Sequence, residues 1–172
     1  MLIVMSDLSE HFNKDVFACQ CGKCRQELRI SLTLVGILED IWLKFNQPLT
    51  VQRAFVCDQI EIEEPGPKRN YHGTGKALDF TVQDVKLLPE IFRYLETFPE
   101  ISGLGYDPDK NYIHIDLREK ESVKWIYQYN AEKEITSELR QRYGLGEEVL
   151  ADRSKKPVTI ETEILSRIFW II

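Results

Sequence analysis

Apolar residues recur at three- and four-residue spacing between Arg25 and Phe45, at Leu28, Leu32, Val35, Leu38, Ile41, Trp42 and Phe45. That spacing predicts an amphipathic helix with one face on a core, ended by Asn46, Gln47 and Pro48. Leu49 to Val56 is rich in β-formers and reads as a strand. Lys76 to Val82 reads as another, with Leu78, Phe80 and Val82 on one face and Ala77, Asp79 and Thr81 on the other. Helical spacing returns from Gln83 to Phe98 at Val85, Leu88, Ile91, Phe92, Leu95 and Phe98, with Pro89 close enough to the start to bend the helix rather than abolish it. Ile101 to Tyr106 and Tyr112 to Leu117 are short strands around the turn Asp107-Pro108-Asp109-Lys110-Asn111, a hairpin signature. Val123 to Tyr129 is a further β-rich run, and Glu132 to Tyr143 reads as a surface helix stopped at Gly144.

Strands at hairpin-like spacing mixed with helices predict an α+β fold with a largely antiparallel sheet packed with helices. The 172 residues suffice for one substantial core. The expected organisation is a domain over residues 1–130 and a helical C-terminal extension over 131–172. The apolar end of that extension, Ile168, Phe169, Trp170, Ile171 and Ile172, needs cover, either on the domain itself or at a subunit contact in an oligomer. A net charge of -6 argues against a general affinity for nucleic acid or an anionic membrane, both of which demand surplus Lys and Arg. The most apolar region, Ile30 to Phe45, is interrupted by Glu39, Asp40 and Lys44 and does not reach the roughly 20 residues of a membrane span.

Met1 to Met5 is apolar but runs straight into Ser6, Asp7, Ser9, Glu10 and His11, unlike a signal peptide, so a cytoplasmic site of synthesis is expected. In that setting Cys19, Cys21, Cys24 and Cys57 read as thiols, not as a disulfide framework. Two readings stay open for them: small apolar packing residues, or four thiolates closing a structural zinc centre, although Cys-x-Cys-x-x-Cys is tighter than the usual paired spacing.

Histidine is scarce, at three residues, so its placement is informative. His11 reads as a surface or capping residue near the amino terminus. His72 closes a long polar loop, Cys57 to Thr74, of a length that usually signals binding or catalysis. Glycines follow it, and Asp79 stands on the next strand. On the strand Tyr112 to Leu117, His114 and Asp116 share one face while Ile113, Ile115 and Leu117 fill the other. Two imidazoles and a carboxylate suit zinc, and three protein ligands leave a fourth position for a water that the metal acidifies.

His72-x-x-Gly75-x-Ala77-x-Asp79, followed by His114-x-Asp116 on a strand, resembles the zinc peptidases of the D-alanyl-D-alanine carboxypeptidase and L-alanyl-D-glutamate endopeptidase group, whose fold is shared with the hedgehog signalling domain. Leu8 to Phe12, Phe17 to Cys24, Gly103 to Tyr106 and Asp116 to Arg118 with Lys124 and Trp125 extend the likeness over roughly Leu8 to Tyr129, in the manner of the phage and bacterial branch. The resemblance implies a metallopeptidase with one catalytic zinc held by His72, Asp79 and His114. Its implied partner is a stem peptide of bacterial peptidoglycan, and an endolysin-like protein would reach the cell wall by lysis. The group's usual acid, three residues before the last histidine, is Asn111 here, so Asp116 is expected as the general base, with Asp107 and Asp109 in reserve. Asn70 stands where a serine is usual, and Val56 where an arginine would hold a substrate carboxylate; Arg53 and Arg69, with Lys68, are the expected substitutes. These departures also leave room for a non-catalytic binding or scaffold module that keeps the metal for its fold.

Overall fold

The computed structural model describes residues 7–24, 28–58, 71–119, 122–129 and 131–151. Helix α1, Leu32–Phe45, begins later than its apolar spacing predicts. The Ser31 N–H donates to the Gly75 carbonyl at 2.8 Å, so the residues just before the helix serve a tertiary contact instead of a helical turn. The helix ends where predicted, on Asn46 at φ 49°, a left-handed conformation that Asn tolerates. Strand β1, Leu49–Arg53, is shorter than its composition suggests. Beyond it Ala54 to Cys57 run on as buried chain whose amides bond elsewhere: Phe55 N–H to Phe17 O at 3.2 Å, and Val56 N–H to His72 O at 3.4 Å.

Strand β2, Ala77–Val82, leads through a 3-10 turn, Val85–Leu87, into helix α2, Leu88–Leu95. Pro89 lies in the first turn of α2, where a missing N–H costs nothing, so it starts the helix and bends nothing. Strands β3, Gly103–Asp107, and β4, Tyr112–Asp116, form the expected hairpin, and β5, Val123–Gln128, follows. Ala131–Glu134 is strand β6, paired with β5, where the sequence leads one to expect helix; helix α3 covers only Ser137–Arg142. Pairing with the open edge of β5 satisfies the backbone of 131–134, and the Thr136 hydroxyl, accepting from Leu139 N–H, sets the helix start.

The six strands lie in the order β1-β2-β4-β3-β5-β6, antiparallel except for the parallel pair β3 and β5. The fold is thus α+β with a mostly antiparallel sheet. Leu34, Ile37, Leu38 and Ile41 of α1 and Leu88, Ile91, Phe92 and Leu95 of α2 share one core with Leu78, Phe80, Leu104, Ile113, Ile115 and Ile126 of the sheet. Burying each of these side chains contributes about 1.5–3 kcal/mol, which is what seats both helices on the sheet. Because strand side chains alternate, Asp79 and His114 emerge on the other face.

Two polar clasps tie the periphery down. The Glu96 carboxylate, with no exposed side-chain surface, accepts from Arg140, from Lys124 at 3.1 Å and from Val149 N–H at 3.3 Å, joining α2, β5, α3 and the segment beyond. His11 is a packing residue as well as a polar one: its Nδ1 donates to Glu39 at 2.5 Å and its ring stacks on Trp42 at 4.3 Å. No helix among the described residues is long and apolar enough to cross a membrane. The C-terminal apolar run, Lys68, Arg69 and Asn70 lie outside the described residues.

Candidate metal centre

The strand register builds the site. Asp79 on β2 stands opposite His114 on β4; Arg53 lies beyond Asp79, and Gly105 and Trp125 lie beyond His114, so one row of the sheet carries them all. His72 comes from outside the sheet, in a tight turn where the Gly75 N–H donates to His72 O at 3.0 Å and the Lys76 N–H to Tyr71 O at 2.9 Å. Gly75 adopts φ +71°, and a Cβ there would lie 2.6 Å from the Arg29 carbonyl, so the turn depends on glycine.

The ligand atoms of His72, Asp79 and His114 lie within 4.8 Å of one another. His72 Nδ1–H donates to the Ala54 carbonyl at 2.8 Å, which leaves Nε2 facing Asp79 Oδ1, 3.6 Å away. His114 Nδ1 meets the same oxygen at 2.6 Å, and its other nitrogen, Nε2, meets Asp116 Oδ2 at 3.2 Å. The two imidazole rings stand 5.2 Å apart, tilted by 66°.

The electrostatics favour a cation at this point. Burial opposes charge on His114, but hydrogen bonds and charge from Asp116 and Asp79 outweigh it and raise its pKa to about 9. Burial would raise Asp79 too; the two histidines more than offset it and hold the carboxyl far below the usual carboxylate range. Asp116, likewise buried, is brought down to about 2 by Arg118 and His114. A metal ion would replace the proton on His114 Nδ1 and leave the Nε2–H bond to Asp116 intact. The donor set of two imidazole nitrogens, each oriented by a second partner, and one carboxylate oxygen fits zinc with an open position.

Asp116, the expected general base, is already engaged by other groups. Its side chain is fully buried, it meets the nitrogen of His114 that points away from Asp79, and Arg118 engages both its oxygens, Nε to Oδ1 at 2.8 Å and Nη2 to Oδ2 at 2.5 Å. The reserves are also committed or remote. Asp107 is buried and accepts the amides of Asp109 and Lys110 at 3.0 and 2.9 Å, closing the hairpin turn in which Asp109 is exposed. Asn111 holds a left-handed position in that turn at φ 56°.

Several residues join the site that the motif alone did not single out. The Arg118 guanidinium lies 5.2 Å from the Tyr71 ring centre and 5.3 Å from that of Trp125, and Trp125 packs 5.3 Å from His114. Tyr127 and Tyr112 continue the aromatic wall, 6.0 Å apart. Strand β3 makes room for this layer: a Cβ on Gly103 would lie 2.0 Å from the Asp116 carboxylate, and one on Gly105 would lie 2.5 Å from the Trp125 indole. Period-two alternation places Tyr112 with His114 and Tyr127 with Trp125, a signal available in the sequence. The reach of Arg118 back to Asp116 leaves no such trace.

A family model described as Peptidase M15 matches residues 10–116, more than half of the chain and inclusive of all three candidate ligands. The chain belongs to this family of zinc metallopeptidases, and its mixed α+β fold is consistent with that of the family. Comparison with curated proteins and with solved structures gives no match.

Proposed function

We propose that the chain is a zinc-dependent peptidase that hydrolyses a peptide bond in the stem peptides of bacterial peptidoglycan, with the ion held by His72 Nε2, Asp79 Oδ1 and His114 Nδ1. The observation that carries the reading is the convergence of these three ligand atoms, with Ala54 and Asp116 fixing the second nitrogen of each histidine. Zinc, when bound there, polarises a carbonyl and acidifies a water. The chain's own residues do the rest. Asp116, held by Arg118, keeps the Nε2 proton of His114 in place so that Nδ1 presents its lone pair, which makes Asp116 a positioning residue. Tyr71, Trp125 and Tyr127 supply aromatic walls for an extended peptide. Arg53, opposite Asp79 in the register and half-buried at the end of β1, is the described cation placed to meet a substrate carboxylate.

A binding or scaffold module is the second reading, and one observation favours it. The carboxylates in contact with His114 are Asp79, a ligand, and Asp116, bound to Nε2 and Arg118, while Asn111 replaces the family's usual acid. Digestion of purified peptidoglycan by the zinc-loaded protein, followed by mass spectrometry of released fragments, separates the two. New amino or carboxyl termini in the stem peptides, lost in His72→Ala, establish the peptidase. Intact stem peptides beside a full complement of zinc establish the module.

A further inference from the structure

A second group of candidate ligands among the described residues lies outside the candidate peptidase site. Cys19, Cys21, Cys24 and Cys57 place their four sulfurs within 4.8 Å of one another, although Cys57 is far from the others in the chain. None of the four is in a disulfide; Cys19 and Cys57 are buried and Cys21 and Cys24 half-buried. The Cys21 and Cys24 sulfurs are 3.4 Å apart, and those of Cys21 and Cys57 are 3.6 Å apart. Four sulfurs each 2.3 Å from a tetrahedral zinc ion would be about 3.8 Å from one another, so these spacings are close to those of a zinc–thiolate tetrahedron. A disulfide would need a pair at about 2.05 Å.

The backbone around the sulfurs is arranged for thiolates. Cys21 Sγ accepts the amides of Lys23 and Cys24, both at 3.2 Å, in a turn where Gly22 takes φ 68°. Cys19 Sγ accepts the amide of Cys57 at 3.4 Å. Amides directed at sulfur stabilise its negative charge, as ligands to a cation require. Four soft donors select zinc over magnesium or calcium, and four protein ligands leave no open position for water. Among the described residues the packing unit here consists of Cys19, Phe55 and Cys57 with Cys21 and Cys24 against it, separate from the main core.

We propose that Cys19, Cys21, Cys24 and Cys57 bind a second zinc ion as a closed structural centre, and that this centre fixes the segment Ala54 to Cys57 that orients His72. The connection is short. Ala54 O accepts from His72 Nδ1, Val56 N–H donates to His72 O, and Cys57 supplies a sulfur, so one buried strand of chain spans from the thiolates to the first histidine ligand. Phe17 O, accepting from Phe55 N–H, ties the amino-terminal cysteine segment to the same stretch.

The test uses the full chain carrying His72→Ala and His114→Ala, which removes the candidate peptidase ligands and leaves every cysteine. After desalting, this variant should retain one zinc per chain against two in the parent. Cobalt substituted for that zinc should give an intense sulfur-to-cobalt charge-transfer band in the near ultraviolet, and a mercurial titrating four thiols should release the ion. Should the double variant fail to fold, the cobalt spectrum and the mercurial release are read on the parent, where one of two ions should respond. Adding Cys57→Ser to the parent should lower the metal content from two to one and weaken retention of the remaining ion. A folded double variant with no metal, a cobalt spectrum without the sulfur band, or two or fewer titratable thiols overturns the proposal. The two sites fail separately: a parent holding only the thiolate-bound ion removes the peptidase reading and keeps this one, and a parent holding only an ion without sulfur bands does the reverse.

Discussion

Asp116 touches His114 on the side away from the metal position, so its removal should be felt first as lost metal affinity. Asp116→Asn keeps an acceptor for Nε2–H but loses the charge and the paired hydrogen bonds from Arg118. Partners of this kind typically cost about 10- to 100-fold when removed, and competition with a chromogenic zinc chelator should return a loss in that range. Peptidase activity should recover when zinc is added in excess. A variant with parental zinc affinity and no activity would instead return Asp116 to the role of base. His114 carries a second prediction at this scale. Its pKa, about 9 in the metal-free fold against 6.5 for the unperturbed group, means that the folded state binds the proton more tightly than the unfolded state. The resulting stability is fully present below pH 6.5 and is lost as pH rises through 9. Chelator-treated protein should therefore melt at progressively lower temperature over that window, and His114→Gln should flatten this limb. Zinc competes with the same proton, so its affinity should rise with pH up to about 9.

Strand β3 separates the two demands on the sheet, because its glycines face the site and Leu104 faces the core. Gly103→Ala drives a methyl group onto the Asp116 carboxylate, and overpacking of this sort costs about 1–3 kcal/mol. Zinc affinity should fall as well, since Asp116 can no longer hold His114. Leu104→Ala empties a buried position on the opposite face at a cost of about 2–5 kcal/mol, with zinc affinity staying close to that of the parent. Urea denaturation with parallel zinc titration reads both quantities. Equal zinc affinities in the two variants would remove the proposed function of the glycine.

The molecule as a whole is held together past residue 130. Strand β6 covers the edge of β5, and Arg140 pairs with the buried Glu96. A buried ion pair contributes little net stability against an apolar substitute, yet breaking one side strands the other charge at a cost of about 3–5 kcal/mol. Because Lys124 still meets Glu96 at 3.1 Å, Arg140→Ala should lower the unfolding free energy by less than that, and Glu96→Gln in the same chain should restore part of it. Truncation after residue 130 removes Arg140, β6 and the Val149 amide together. The truncated chain should lack a cooperative thermal transition; a sharp transition near the parental temperature would make residues 1–130 an independent unit.

Local patterns in the sequence determined the elements and the faces they present. Period-two alternation put His114 and Asp116 opposite Ile113 and Ile115, and three- and four-residue spacing drew α1 and α2, because side-chain direction in a strand or helix depends only on neighbouring residues. The pairing of His72 with Asp79 and His114 was legible only through a family motif, since nothing local links residues on a turn and two strands. Tertiary structure decided the rest. Which nitrogen of His114 meets which carboxylate follows from the β2–β4 register and from Arg118 folding back on Asp116, and that is the ground for proposing Asp116 as a positioning residue. The edge strand β6 formed where helix was expected, because an open sheet edge offers hydrogen bonds that no periodicity records. The four cysteines had two readings in sequence, and only the path of Ala54 to Cys57 behind His72 carries the distant sulfur to the other three, since long-range proximity is set by packing of the whole chain.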